Sequence, residues 1–192
     1  MKKNGTTTET REGWLLRASA ILTAEVLPKD AAKPALPVQV STGFPKGRHG
    51  RGRAIGQCWA PGAARDGRSH IFISPELDEP DQILATLLHE LIHASVGVKG
   101  GHRGAFAKLA RTVGLEKPFT RSVPGVELSG RLNAVSVRLG TFPHGALTYV
   151  DRPRAGSRLR LWECECGIKV RVASDDFDAT CNECDGVFEV QQ

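Results

Sequence analysis

The sequence predicts a mixed α+β domain followed by a small β module that depends on metal. Three observations support this prediction: apolar residues recur at helical spacing in several segments, short β-rich runs lie between them, and two close cysteine pairs stand near the C-terminus. The 192 residues suffice for one domain of ordinary size and a small appendage. With 40% apolar and 24% charged residues, the composition is typical of a globular chain and excludes wholesale disorder.

The predicted elements follow one another simply along the chain. Apolar residues spaced by three and four predict a helix over 10–27, which Pro28 ends. A central helix should begin after a capping Asp78 and end at Gly97. Short strands are expected at 38–40, 54–60 and 71–74. Further helices are expected at 104–113 and 126–137.

Charge is distributed unevenly along the chain. Residues 163–192 contain eight acids and two bases, a net charge of −6. Because the whole chain has a net charge of +5, residues 1–162 have a net charge of +11. A basic body makes DNA a candidate partner, although a solvated basic surface is an equally ordinary interpretation. The candidate phosphate contacts lie in a glycine-rich loop: Lys46, Arg48, Arg51 and Arg53.

The sequence contains neither a membrane span nor a recognisable secretion signal. No apolar run reaches the length that a span requires, and a polar stretch, 4–11, follows Lys2 and Lys3 where a signal would have its apolar core. We therefore expect a cytoplasmic protein without a membrane partner, whose five cysteines are reduced. The sequence does not indicate the oligomeric state.

The central helix carries the pattern H-E-x-x-H at 89–93. His89 and His93 are four residues apart, so both can present an imidazole nitrogen to one Zn²⁺. Glu90 is rotated by about 100° from His89 and can act as general base on a zinc-bound water that attacks a carbonyl. The rest of the helix is mostly apolar, so its narrow polar stripe favours a metal site over solvent-exposed histidines.

A catalytic zinc site needs a third protein ligand and an open fourth position. Glycines on both sides of His102 allow the chain to reverse and bring that imidazole back to the helix, which makes His102 the favoured third ligand. Glu116, from a later element, is the alternative. Tyr149 and Arg103 are candidates for stabilising the oxyanion of the transition state.

The C-terminal module contains two cysteine pairs separated by 14 residues, and their four thiolates can close a tetrahedral structural zinc site: Cys164, Cys166, Cys181 and Cys184. Strands at 159–162, 168–172 and 187–190 would complete a zinc ribbon. About 30 residues cannot bury a sufficient core, so metal would stabilise the module. Disulfides or free thiols are the alternative. The acidic charge of this module would repel phosphates.

Two segments together resemble the SprT-like metalloprotease family. The first is His89-Glu90-Leu91-Ile92-His93-Ala94, and the second is Gly101-His102-Arg103-Gly104-Ala105-Phe106. They are similar to the family's HExxHA pattern and to its GHG-x-x-F-like element with the third histidine. The strand before the helix and the C-terminal ribbon also fit. Arg103 stands where many members have glycine.

The resemblance implies a zincin-like minimal metalloprotease domain at 1–145, a basic linker at 146–158 and a zinc ribbon at 159–192. It implies a zinc-dependent endopeptidase with one catalytic and one structural zinc, in which Glu90 activates the zinc-bound water and the substrate is a protein. Eukaryotic relatives of the Spartan and Wss types degrade proteins crosslinked to DNA, so DNA–protein crosslink repair is expected by analogy.

Two other functions fit parts of the same pattern. One is a non-proteolytic, zinc-containing, nucleic-acid-associated factor, in which both zinc sites are scaffolding. The other is a metal-dependent hydrolase of a non-protein amide. Glu90 favours hydrolysis over scaffolding, because a scaffold has no need of an ionisable residue beside a zinc-bound water in a buried helix.

Overall fold

The structure is a computed structural model that describes residues 9–31, 34, 38–45, 54–148 and 159–191. The chain divides into two compact units, Met1–Tyr149 and Val150–Gln192. Within the described ranges, the first unit contains four α-helices and a three-stranded sheet, and the second contains another three-stranded sheet. The predicted mixed α+β class is therefore confirmed. None of the helices in these ranges has the length and apolar character needed to cross a membrane.

The first helix, α1 (Arg11–Ile21), continues into a π-helical turn at Leu22–Val26, so the single helix expected over 10–27 has two parts. Thr10 caps it, because its hydroxyl accepts a hydrogen bond from the Gly13 N–H at 3.0 Å. The fully buried Trp14 ties α1 to the core and donates its indole N–H to the Gly140 carbonyl at 3.2 Å.

The sheet of the first unit has the order β1-β3-β2, with strands β1 (Gln39–Thr42), β2 (Gly56–Trp59) and β3 (His70–Ile73). The central strand β3 runs parallel to β1 and antiparallel to β2. Alternate side chains of β3, Ile71 and Ile73, are buried in the core, as the period of two along a strand requires. The observed strands are shifted from the predicted ones by one or two residues.

The central helix, α2 (Pro80–Val96), begins later than a capping Asp78 would allow. The Asp78 carboxylate instead accepts a hydrogen bond from the Ala146 N–H at 3.0 Å. Glu79, the residue immediately before the helix, makes no side-chain capping bond. The predicted cap was therefore wrong, because a later segment of the chain takes up this carboxylate. The helix ends at Gly97, whose φ of 88° suits glycine.

Two further helices, α3 (Ala105–Val113) and α4 (Val126–Leu139), complete the first unit. Helix α2 packs against α1, α3 and α4 and against strands β2 and β3. Every residue from Ile83 to His93 is consequently buried. The core of the unit thus surrounds the helix that carries the H-E-x-x-H pattern.

The second unit is built on β4 (Arg160–Cys164), β5 (Lys169–Val172) and β6 (Phe188–Val190). The central strand β4 pairs with both neighbours in antiparallel fashion. Its apolar packing is small: Trp162 contacts Phe177 with ring centroids 5.5 Å apart, and Phe177 lies 6.0 Å from Phe188. Three strands with so little apolar packing are marginal without another source of stability.

Candidate metal centres

Two successive turns of α2 and the loop before α3 bring three imidazole rings together. The Nε2 atom of His102 lies 3.0 Å from Nε2 of His89 and 3.3 Å from Nε2 of His93. The loop can return to α2 because Gly97 and Gly101 adopt positive φ angles of 88° and 53°. These histidines form a group that could hold a metal ion.

Burial keeps the three histidines uncharged. It lowers the pKa of His89 to about 3 and the pKa of His93 to about 4, and neighbouring imidazoles add to both shifts. Burial also lowers the pKa of His102. Neutral imidazole is the form that binds a metal ion, so the site is prepared for one at neutral pH.

Packing against one phenylalanine holds the three rings in place. Phe106 on α3 is 1% exposed, and its ring centroid lies 4.2 Å from that of His93, 4.9 Å from His89 and 5.0 Å from His102. The Nδ1 atoms of His89 and His93 have no hydrogen-bond partner within the described ranges. Their orientation therefore depends on contact with Phe106 more than on a hydrogen-bonded second shell.

Glu90 lies in the same buried turn of α2, with 6% of the residue exposed. Burial raises the pKa of Glu90 to about 8, although the backbone N–H of Cys58 donates a hydrogen bond that stabilises the carboxylate. The carboxylate lies directly against Gly56 on β2, since a Cβ atom built on Gly56 would be 2.6 Å from Glu90 Oε1 and 2.7 Å from Thr86 Cγ2. The strand thus fixes this side chain from one side.

We expect Gly56→Ala to displace the Glu90 carboxylate without loss of any metal that the histidines bind. The added methyl group would overlap the carboxylate, which has little free space because it is buried. The position of the carboxylate in a crystal structure and the metal content of the purified variant are the measurements. Gly62→Ala is the matched control, because a Cβ at Gly62 meets no atom within 4 Å. An unchanged position of the carboxylate in Gly56→Ala would contradict the expectation.

The histidines and Glu90 lie in an open cleft of about 640 Å³. The polar stripe predicted on α2 faces this cleft, with Gln82 and Thr86 beside His89 and His93. Strand β2 contributes Gly56, Gln57 and Cys58 to the cleft. The loop before α3 and residues 120–123 also form part of its lining. The volume is within the range of ordinary ligand sites.

Sequence reasoning missed several residues of this cleft. A lone glycine at the start of a strand, such as Gly56, is a signal of close approach by another group. Phe106 belongs to the second of the two segments that resemble the family, but the sequence does not indicate that its ring packs against all three histidines. Nothing in the sequence indicates that Arg121 or its neighbours would line the cleft, because they are distant from the motif along the chain.

Other candidate residues do not join the site. The Glu116 carboxylate lies near Gly125 and outside the cleft, so the structure places His102, and not Glu116, beside the helix. Arg103 lines a smaller adjoining pocket of about 250 Å³. The remaining candidates lie outside the described residues: Lys46, Arg48, Arg51, Arg53 and Tyr149.

The four cysteines of the second unit form a second group that could hold a metal ion. The Sγ atoms of Cys164 and Cys184 are 3.2 Å apart, and those of Cys166 and Cys181 are 3.7 Å apart. A disulfide bond would need about 2.0 Å, whereas four thiolates around one zinc lie about 3.8 Å apart. The cysteines are free in the structure, so the arrangement does not contain the disulfide bonds that are the alternative to a metal site.

The backbone approaches these sulfur atoms closely. A Cβ atom on Gly186 would lie 3.2 Å from Cys164 Sγ and 3.3 Å from Cys184 Sγ, so glycine leaves the room that the thiols need. The Cys164 thiol and the Gly186 backbone N–H donate hydrogen bonds to the Cys184 sulfur, which lower the pKa of Cys184 to about 7. Such a thiolate is the form that coordinates zinc.

Comparison of the chain with protein-family models, with curated proteins and with solved structures found no match. The chemistry of the site is therefore argued from its own residues: a His₃ group in an open cleft and a Cys₄ group in a small sheet, both compatible with zinc.

Proposed function

We propose that the chain is a zinc-dependent endopeptidase of SprT-like type, with a zincin-like catalytic domain and a C-terminal zinc ribbon. One observation carries the proposal. Three neutral imidazole nitrogens converge beside a buried glutamate, and all four side chains face an open cleft. A purely structural zinc site is closed by its four protein ligands, whereas three ligands and an open side are typical of a catalytic one.

The residues of the cleft suit a zinc ion. Three facing Nε2 atoms cannot all find hydrogen-bond donors in one another, so a cation shared by His89, His93 and His102 would satisfy them. When bound there, zinc would supply a Lewis acid that activates water and polarises a carbonyl. The closely packed thiols around Gly186 give the ribbon an equally suitable set of four sulfur ligands.

Glu90 is the group that would move protons during hydrolysis. Its carboxylate would accept a proton from the attacking water and pass it to the leaving amine. Burial raises its pKa to about 8, and the positive charge of a bound cation would favour the ionised form that a base needs. Contacts with Gly56 and with the Cys58 N–H would keep the carboxylate in one position during both transfers.

The shape of the cleft supports a peptide substrate. Strand β2 lines it and is an edge strand of the three-stranded sheet within the described residues. An extended peptide can align with an edge strand through main-chain hydrogen bonds, which makes recognition possible without one particular side chain. A protein substrate therefore fits the cleft better than a compact non-protein amide.

A DNA-associated substrate and a cytoplasmic location belong to the same proposal. The charge of +11 over residues 1–162 supports attraction to DNA, and its glycine-rich basic loop lies outside the described residues. Thiolate ligands in the ribbon require reduced cysteines, which supports a reducing compartment. Cleavage of DNA-bound or DNA-crosslinked proteins would follow from this combination.

The test compares the wild-type protein with Glu90→Gln on a basic DNA-binding protein, with and without single-stranded DNA. Loss of the base should lower the cleavage rate by about 10² to 10⁴-fold while the metal content stays at that of the wild type. Chelation should also stop cleavage. Gln is nearly isosteric with Glu, so circular dichroism should show the same fold in both proteins.

Two results would favour the other functions. If wild-type protein carrying both metals is as inactive as Glu90→Gln, this substrate class is wrong and a scaffold role in a nucleic-acid-associated factor becomes the better hypothesis. If both proteins leave polypeptides intact but only the wild type hydrolyses small amides, the chain is a hydrolase of non-protein substrates.

A further inference from the structure

One wall of the cleft, residues 120–123, has no role in the hydrolysis described above. The loop that carries this wall is fixed at both ends. Leu115 and Pro124 form a β-bridge, and the Glu116 N–H donates to the Val123 carbonyl at 2.8 Å. At the start of α4, the Gly125 N–H donates to Gly114 at 2.9 Å. The wall is therefore part of the folded domain.

Within this wall, Arg121 presents an available cation. Its backbone N–H donates to the Pro118 carbonyl at 2.9 Å, and the neighbouring Phe119 is 9% exposed and anchors the loop in the core. The guanidinium of Arg111 lies over the Phe119 ring at 5.8 Å and covers this anchor. The side chain of Arg121 is exposed and forms no ion pair within the described ranges.

The charges that line the cleft favour an anionic ligand group. Among the lining residues that the structure describes, Arg121 is the only arginine or lysine, and Glu90 is the only aspartate or glutamate. A divalent cation on the histidines would give the cleft a net positive charge. Thr120 and Ser122, which flank Arg121 along the chain, also line the cleft, and their hydroxyl groups can donate hydrogen bonds.

We propose that Arg121 binds a carboxylate of the substrate, so that the cleft prefers peptides with a carboxylate close to the scissile bond. This inference rests on the proposed peptidase function. The planar guanidinium can hold a carboxylate through two parallel hydrogen bonds. The carboxylate has two possible sources, an Asp or Glu side chain and the C-terminus of the polypeptide.

The experiment uses zinc-loaded full-length protein and a matched set of fluorescent peptides. One pair differs by Glu against Gln at a single position near the scissile bond, and a second pair has a free or an amidated C-terminus. Cleavage by the wild type gives kcat and KM. Binding to the inactive Glu90→Gln protein, measured by fluorescence anisotropy, gives Kd without turnover.

We expect the carboxylate-bearing peptide of one pair to have a Kd and KM about fivefold lower than its neutral partner. The Arg121→Gln substitution, made in the wild type for KM and in Glu90→Gln for Kd, should abolish this difference. Arg121→Glu should shift the preference to a peptide with Lys at the same position. Lys108→Gln is the matched control, because Lys108 is an exposed cation of α3 that does not line the cleft. The pair that shows the difference identifies the source of the carboxylate.

Each other result overturns a defined part of the hypothesis. Cleavage or binding without a carboxylate preference refutes the role of Arg121 and leaves the peptidase proposal intact. An equal fall in kcat for every peptide in Arg121→Gln would indicate transition-state stabilisation and also refute carboxylate recognition. Binding with the expected preference but no cleavage supports Arg121 and refutes the peptidase. If the peptides are neither bound nor cleaved, both the role of Arg121 and the peptidase proposal are refuted.

Discussion

Replacing His102 with alanine is expected to remove the metal from the cleft and to reduce hydrolysis to background. Two histidines on α2 remain, but a zinc site normally needs three protein ligands. We expect metal affinity at this site to fall by more than about 100-fold, since loss of an outer-shell partner alone can cost that much. Metal content should drop from about two equivalents per chain to about one, as measured by elemental analysis after gel filtration.

The domain itself should stay folded in His102→Ala. His102 lies in a loop, is only partly buried and is not one of the apolar residues that form the core. His70→Ala is the matched control, because His70 pairs with Asp66 at 3.1 Å, away from the cleft. If His102→Ala keeps both metals and its activity, the third ligand is another group and the proposed site is wrong.

Cys181→Ser is expected to unfold the ribbon and to release its metal. Among the residues of the ribbon that the structure describes, 159–191, a small aromatic cluster around Trp162 is the apolar packing that opposes the loss of chain entropy. Zinc binding contributes an apparent free energy of about 10–16 kcal/mol in zinc-finger peptides, more than so small a core can replace. The backbone amide NMR signals of residues 159–191 should collapse to random-coil positions, and chelation of the wild type should have the same effect.

The first unit provides the internal control for this variant. The three histidines proposed as ligands all come from α2 and the loop before α3, so a metal bound in the cleft should remain. Cys58→Ser is the matched cysteine replacement, because Cys58 lies on β2 and the ribbon signals should not change. Well-dispersed ribbon signals in a Cys181→Ser protein whose ribbon has lost its metal would rule out a structural role for zinc.

The parts of the site that came from short-range patterns could be predicted from sequence. The spacing of His89 and His93 places them on one face of any helix, and glycines near His102 indicate a loop that can turn back. The C-terminal end of α2 was predicted from a local signal of the same kind, the glycine at position 97. Each of these predictions depends on residues that are within about a dozen positions of one another.

The rest of the site depends on contacts between distant segments. Asp78 looked like a helix cap, but Ala146 competes for its carboxylate across the domain. Residues 120–123 reach the cleft only because a loop between α3 and α4 is tied back on itself. Gly56 approaches Glu90 through sheet pairing and helix packing together. A lone glycine in a strand signals a close approach, but no local pattern says which distant segment makes that approach.

The burial of the middle of α2 also limits how this chain can vary. Each position from Ile83 to His93 serves either the core or the cleft, so nearly every substitution there removes packing or chemistry. Exposed positions at the first turn of the helix, such as Asp81, carry no such double constraint. Under random mutagenesis, tolerated changes should therefore cluster at the ends of this helix and be almost absent from its middle, a profile unlike the periodic tolerance of a helix that lies on a surface.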